Sequence, residues 1–162
     1  MIHLSKKQMY WFLGLGFLVT YLFTRLANIT AFPIFTDEAI YLRWAQIAGN
    51  DADWLFISLT DGKQPLFVWL AMIFQKVVDD PLLAGRLVSV FAGLSSMVGL
   101  FFLTNEIFRG KSKVSLSARK IGIVAAFLYL LYPFALVYDR LALYDSLVAT
   151  LLFGHYIWKC SW

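Results

Sequence analysis

Cysteine is nearly absent from this chain. Cys160 is the only one in 162 residues, which excludes an intrachain disulfide and any cysteine-built metal site. Histidine is scarce too: only His3 and His155 occur, at the two ends of the sequence, and both read as structural. Charged residues make up only 15% of the chain, so a large solvated surface has little to cover it. The formal charge of +4 does not indicate nucleic acid, because lysine and arginine fall between apolar runs, where membrane topology puts them. There is no internal repeat, low-complexity tract or soluble domain.

What the chain does have is apolar length. Hydrophobic residues reach 60%, aromatic residues 18% and mean hydropathy +0.70, which places it in lipid rather than water. The reading is an all-α integral membrane protein with about four transmembrane helices, plus interfacial juxtamembrane helices in a first extracytoplasmic loop. Residues 8–28 are apolar for about the ~20 residues that a hydrocarbon core requires, and Lys6 and Lys7 precede them, so the N-terminus is cytoplasmic. No Ala-x-Ala-like site follows, and Arg25 stands where small residues would be needed, so this span is expected to remain uncleaved.

Residues 30–82 read as the extracytoplasmic loop. Thr36 is an expected N-cap, opening a short helix with Ile40, Trp44 and Ile47 on an interfacial side. The apolar run 65–78 is too short for a standard span. If it crossed, the basic loop 109–120, with Arg109, Lys111, Lys113, Arg119 and Lys120, would lie outside, against the positive-inside rule. The expected remaining spans are therefore 87–107, 121–138 and 141–158, ending at cytoplasmic Lys159. Gly85, Ser89, Ala92, Gly93, Ser96 and Gly99 form a small-residue stripe that lets a neighbouring backbone approach.

This topology puts three charged groups on the outer face. Asp37 and Glu38 lie in Thr36-Asp37-Glu38-Ala39-Ile40-Tyr41, where a bland role as first-turn acids would be worth about 0.3–1 kcal/mol each. Lys63 follows Gly62 and has the bland alternative of snorkelling to headgroups. Asp139, Arg140 and Asp145 open the last span. A buried aspartate there costs on the order of 2.5 kcal/mol on insertion scales, so it is expected to face a polar cavity or a cation. Arg86 reads as an interfacial anchor.

The order of these pieces is Asp-Glu-Ala-x-Tyr, Gly-Lys-x-Pro-Leu-x-x-Trp, Ala-Gly-Arg-Leu, then Arg-Leu-Ala-Leu-x-Asp-Ser-Leu. It resembles the N-terminal part of the GT-C fold, polyprenyl-phosphate-dependent glycosyltransferases, in the branch of the protein O-mannosyltransferases and lipid A aminoarabinose transferases. That resemblance implies inverting transfer of a mannose-like or aminoarabinose-like sugar from a polyprenyl-phosphate donor to a protein or lipid acceptor, at the extracytoplasmic face of the plasma membrane. It further implies Asp37 as general base, with Glu38 sharing the acceptor site. Arg140 and Lys63 would hold the donor phosphate, and Asp139 and Asp145 would orient Arg140 or bind sugar hydroxyls. No metal site is assigned: a divalent cation needs roughly six oxygen ligands, and only two or three candidates are in view. Full members of the family are longer, so residues 1–162 are expected to be an N-terminal portion of the transferase domain. A non-catalytic membrane subunit or degenerate remnant, and a transporter component, remain open beside it.

Overall fold

The computed structural model describes residues 5–109 and 117–160. His3 and most of the expected cytoplasmic loop lie outside these residues. Among the described residues the structure is all-helical, without strands. Its helices are α1 (Lys6–Leu26), α2 (Thr36–Asn50), α3 (Leu66–Phe74), α4 (Pro81–Phe108), α5 (Ala118–Leu131), α6 (Pro133–Tyr138) and α7 (Asp145–Cys160). Two short 3-10 turns, Ala52–Trp54 and Ile57–Asp61, join α2 to α3.

Two helices, α1 and α4, are long and apolar enough to cross a membrane. Both starts are locally encoded. Ser5 and Gln8 form a reciprocal capping box at α1. Asp80 accepts from the Leu82 amide at α4, where Pro81 fills the first-turn position that needs no donor. The side of α1 away from the bundle exposes Trp11, Phe12, Leu15, Val19 and Phe23, a solvent-incompatible surface suited to lipid.

Helix α4 is the axis of the fold. It packs most extensively against α7 and α5, and also meets α1, α2 and α3. Its small-residue stripe seats the chain beyond residue 140. The Ser89 hydroxyl donates to the Leu143 carbonyl at 3.0 Å, Thr150 donates to Ala92 at 2.6 Å, and Ser96 donates to Ser146 at 3.2 Å. A Cβ added at Gly93 would overlap the Asp139 carboxyl and the Tyr21 hydroxyl. Gly93→Ala is therefore expected to lower the thermal midpoint of the detergent-solubilised protein, at about 1–3 kcal/mol for an overpacked contact. Gly14→Ala, where the new methyl meets nothing within 4 Å, should stay within about 0.5 kcal/mol of the parent. Equal midpoints for the two variants would overturn this packing.

Several expected boundaries move. The span expected over 121–138 is interrupted, because Pro133 has no amide hydrogen to continue α5; Tyr132 is extended and α6 starts afresh. At 14 residues, α5 extends about 21 Å, and the 16 residues of α7 extend about 24 Å. The last helix begins at Asp145 rather than 141, since residues 141–144 are held by contacts to α2 and α4. Helix α3 has nine residues, about 14 Å, well short of a crossing. In α2, Thr36 is the first helical residue rather than the cap; the Phe35 amide is satisfied by the Glu38 carboxylate at 3.0 Å. The buried side of α2 is Glu38, Tyr41, Leu42, Ala45 and Ala48, not the Ile40 side. Its two alanines let it settle closely onto Phe67, Val68 and Ala71 of α3.

Candidate functional site

Consecutive residues on a helix point about 100° apart, so Asp37 and Glu38 cannot face the same way. In the first turn of α2, Asp37 stands exposed while Glu38 is completely buried. One Glu38 oxygen accepts from Arg86 Nε at 2.9 Å and the Ala142 amide at 2.6 Å. The other accepts from Arg86 Nη2 at 2.8 Å and the Phe35 amide at 3.0 Å. Arg86, likewise buried, donates through Nη1 to the carbonyls of Ile29 at 2.7 Å and Phe32 at 3.1 Å, and through Nη2 to Pro33 at 3.3 Å. The five guanidinium hydrogens thus have five acceptors. Burial opposes ionisation of Glu38, but the hydrogen bonds from Arg86 and from the Ala142 and Phe35 amides outweigh it and hold the carboxyl below its ordinary value. Arg86 is therefore not an interfacial anchor. It ties α4 to the α1–α2 connection and to the turn of α2 that carries Asp37.

Tyr41 lies one turn after Asp37 on the same side of α2. It is buried, with its ring 5.8 Å from Tyr144 and 5.9 Å from Phe67. Burial pushes its phenol up to about 12, helped by the fields of Tyr144, Asp37, Asp145 and Asp61. Lys63 reaches the same spot, with Nζ 5.9 Å from the centre of the Tyr144 ring, within cation–π range. The backbone aims it: Gly62 adopts φ +67°, a left-handed conformation that glycine takes without a Cβ clash, and the Lys63 amide closes onto the Ser58 carbonyl at 3.0 Å. Lys63 thus reaches the Tyr41–Tyr144 pair, and the fields of Asp37, Asp145 and Asp61 act on the Tyr41 phenol.

Arg140 and Asp139 take other directions. Arg140 donates through Nη2 to the carbonyls of Ala27 at 2.8 Å and Asn28 at 3.0 Å, and its guanidinium lies 5.2 Å from the Phe32 ring centre. Its Nε is buried without a hydrogen-bond partner. Asp139 does not orient it. That carboxylate is fully buried on the opposite side, accepting from Tyr21 at 3.0 Å, Tyr129 at 3.2 Å and Ser146 at 2.7 Å, with Arg25 Nε at 3.5 Å. Asp145, exposed, stands at the rim of a cavity of about 210 Å³ lined by Tyr129, Tyr132, Phe134 and Tyr138.

Sequence reasoning singled out neither Tyr41, Tyr144 and Arg25 nor the role of Arg86. Two signals were present: a tyrosine four residues after Asp37, and an arginine inside an apolar run, which requires a partner in lipid. Among the described residues no three metal-ligating side chains come together. No family model, curated protein or solved structure matches this chain.

Proposed function

We propose that the chain supplies the extracytoplasmic catalytic end of a membrane-bound inverting glycosyltransferase that uses a polyprenyl-phosphate sugar, of the kind its motif order resembles. The observation that carries this reading is the division of the acidic pair. Asp37 is exposed one helical turn before Tyr41, Lys63 reaches the Tyr144 ring that packs against Tyr41, and the turn bearing Asp37 is fixed by the saturated Glu38–Arg86 pair. In this reading α1, α4, the α5–α6 pair and α7 cross the plasma membrane, and the basic connections stay in the cytoplasm.

An Asp37 carboxylate oxygen takes the proton of the acceptor hydroxyl as that oxygen attacks the anomeric carbon. The bond from the anomeric carbon to the phosphate oxygen breaks on the opposite face, and its electron pair leaves with the polyprenyl phosphate. Lys63 and Arg140 stabilise that growing charge, Lys63 as a point charge and Arg140 through its guanidinium, which the Ala27 and Asn28 carbonyls hold in place. Asp145 and the tyrosine-lined cavity receive the sugar. An apolar groove of about 430 Å³, lined by Phe35, Phe134, Val137 and Leu141, on the stretch of chain that carries Arg140, suits the isoprenoid tail. Glu38 is a positioning residue here, since both its oxygens are occupied.

The test is a transfer assay on membranes containing the protein, with polyprenyl-phosphate mannose, glucose and aminoarabinose as donors. One donor should be consumed with release of polyprenyl phosphate, and Lys63→Gln should raise the KM for that donor. Absence of turnover with every donor would remove the proposal.

A transporter component is a second reading, favoured by the depth of the Arg25–Asp139 pair. The pair lies beside Gly93, about 18 Å along α4 from Pro81 at ~1.5 Å per residue. Ion flux into proteoliposomes that Asp139→Asn abolishes would favour it over transfer.

A further inference from the structure

Helices normally place acidic residues in their first turn, where the macrodipole is positive. Five of the described helices, α1, α3, α4, α5 and α6, lack such an acid, and of these α1 and α5 open on cations instead. Lys6 and Lys7 open α1, Arg119 and Lys120 open α5, and no acid occupies either first turn. The two helices run side by side in the same direction, with Arg119 at Tyr10 and Phe127 at Phe17, so their positive ends lie together and Lys7 and Arg119 share one cavity there. This conflict with a local rule would be relieved by an anion. The structure also provides a place for one. A cavity of about 450 Å³ opens at this end, lined by Lys7, Tyr10, Trp11 and Arg119, with no carboxylate among the four. The Arg119 guanidinium is held 5.0 Å from the centre of the Tyr10 ring, and Trp11 is 72% exposed.

We propose that this cavity binds the headgroup of an anionic phospholipid. Lys7 and Arg119 take the phosphodiester oxygens. Tyr10 and Trp11, amphipathic rings suited to the headgroup depth, flank the glycerol and upper acyl region. A lipid is favoured over a free anion because the lining is half aromatic and continues directly into the exposed apolar side of α1, where acyl chains would lie. The site is remote from Asp37, and its occupancy is independent of the transferase reading.

Native mass spectrometry of the full chain in detergent, titrated with dioleoyl phosphatidylglycerol or dioleoyl phosphatidylcholine, tests it. The phosphatidylglycerol adduct should be retained preferentially. Lys7→Gln and Arg119→Gln should each reduce its occupancy about fivefold, as expected per cation at an anionic surface, and Arg119→Lys should largely restore it. Lys120→Gln removes the same charge one residue away, outside the cavity lining, and should have little effect. Equal retention of phosphatidylcholine, or an equal loss in Lys120→Gln, would overturn the site. Displacement of the lipid by millimolar inorganic phosphate would assign the cavity to a free anion and equally overturn the proposal. A readout that needs no variant of the cations is fluorescence quenching by brominated phosphatidylglycerol. The parent should be quenched more than Trp11→Phe; identical quenching places the lipid elsewhere.

Discussion

Arg86→Ala should lower the thermal midpoint of the detergent-solubilised protein more than any of the other substitutions considered, and should loosen α2 first. The truncation leaves the Glu38 carboxylate buried without its cation and strips the carbonyls of Ile29, Phe32 and Pro33 of their donor. Breaking one partner of a buried pair costs about 3–5 kcal/mol, because an uncompensated charge remains. Glu38→Leu should be costly for the mirror-image reason. The double variant Glu38→Leu with Arg86→Leu should cost less than the sum of the two, by about 0.5–3 kcal/mol of coupling. Strictly additive costs would mean that the pair does not hold this part of the fold. The same pair fixes a pH dependence. The folded value of Glu38 lies below its ordinary 4.5, so its stabilisation is complete above 4.5 and is lost as pH falls through the folded value. Midpoints measured from neutrality into the acid range should therefore stay level and then fall, and Glu38→Gln should lack its share of that fall. An unchanged acid limb in Glu38→Gln would assign the transition to other carboxylates.

Asp37→Asn should reduce turnover by about 10²–10⁴-fold, the usual range for loss of a positioned base. Asparagine keeps the size of aspartate but cannot accept the proton. Because Asp37 is exposed and makes no part of the Glu38–Arg86 tie, the thermal midpoint should stay that of the parent, and donor binding should persist. This separates chemistry from folding: a variant that is folded and donor-bound but inactive is the expected outcome. Turnover at the parental rate would remove Asp37 as base, whatever its position. Lys63→Gln should differ by also weakening the donor: kcat falls because the growing phosphate charge loses a cation, and donor KM rises with it.

The acidic pair, the small-residue stripe and the helical class were legible because each is local: a few neighbouring residues and one periodicity define them. The division of labour between Asp37 and Glu38 was not, because it depends on a partner 48 residues away and on a backbone amide 104 residues away. Arg86 looked like an anchor for the same reason; its acceptors belong to the α1–α2 connection, which carries no periodic signal. Asp139 and Arg140 are neighbours in sequence, and that adjacency suggested one function. The chain leaves α6 in a turn between them, sending one side chain inward to Arg25 and Tyr21 and the other to the carbonyls of Ala27 and Asn28. The break at Pro133 was readable from proline's missing donor, but the apolar content on both sides of it concealed the stop.

The Ala142 amide that completes the Glu38 shell has a consequence in time. A ribosome adds about 5–20 residues per second, so roughly five to twenty seconds separate emergence of Glu38 from emergence of its last donor. During that interval the turn bearing Asp37 is anchored at most by Arg86. It becomes rigid only once the backbone at residues 141–144 has docked onto α4. The proposed catalytic geometry is thus a late event of biogenesis, and a chain stalled before Ala142 would carry its acidic pair on an unfinished support.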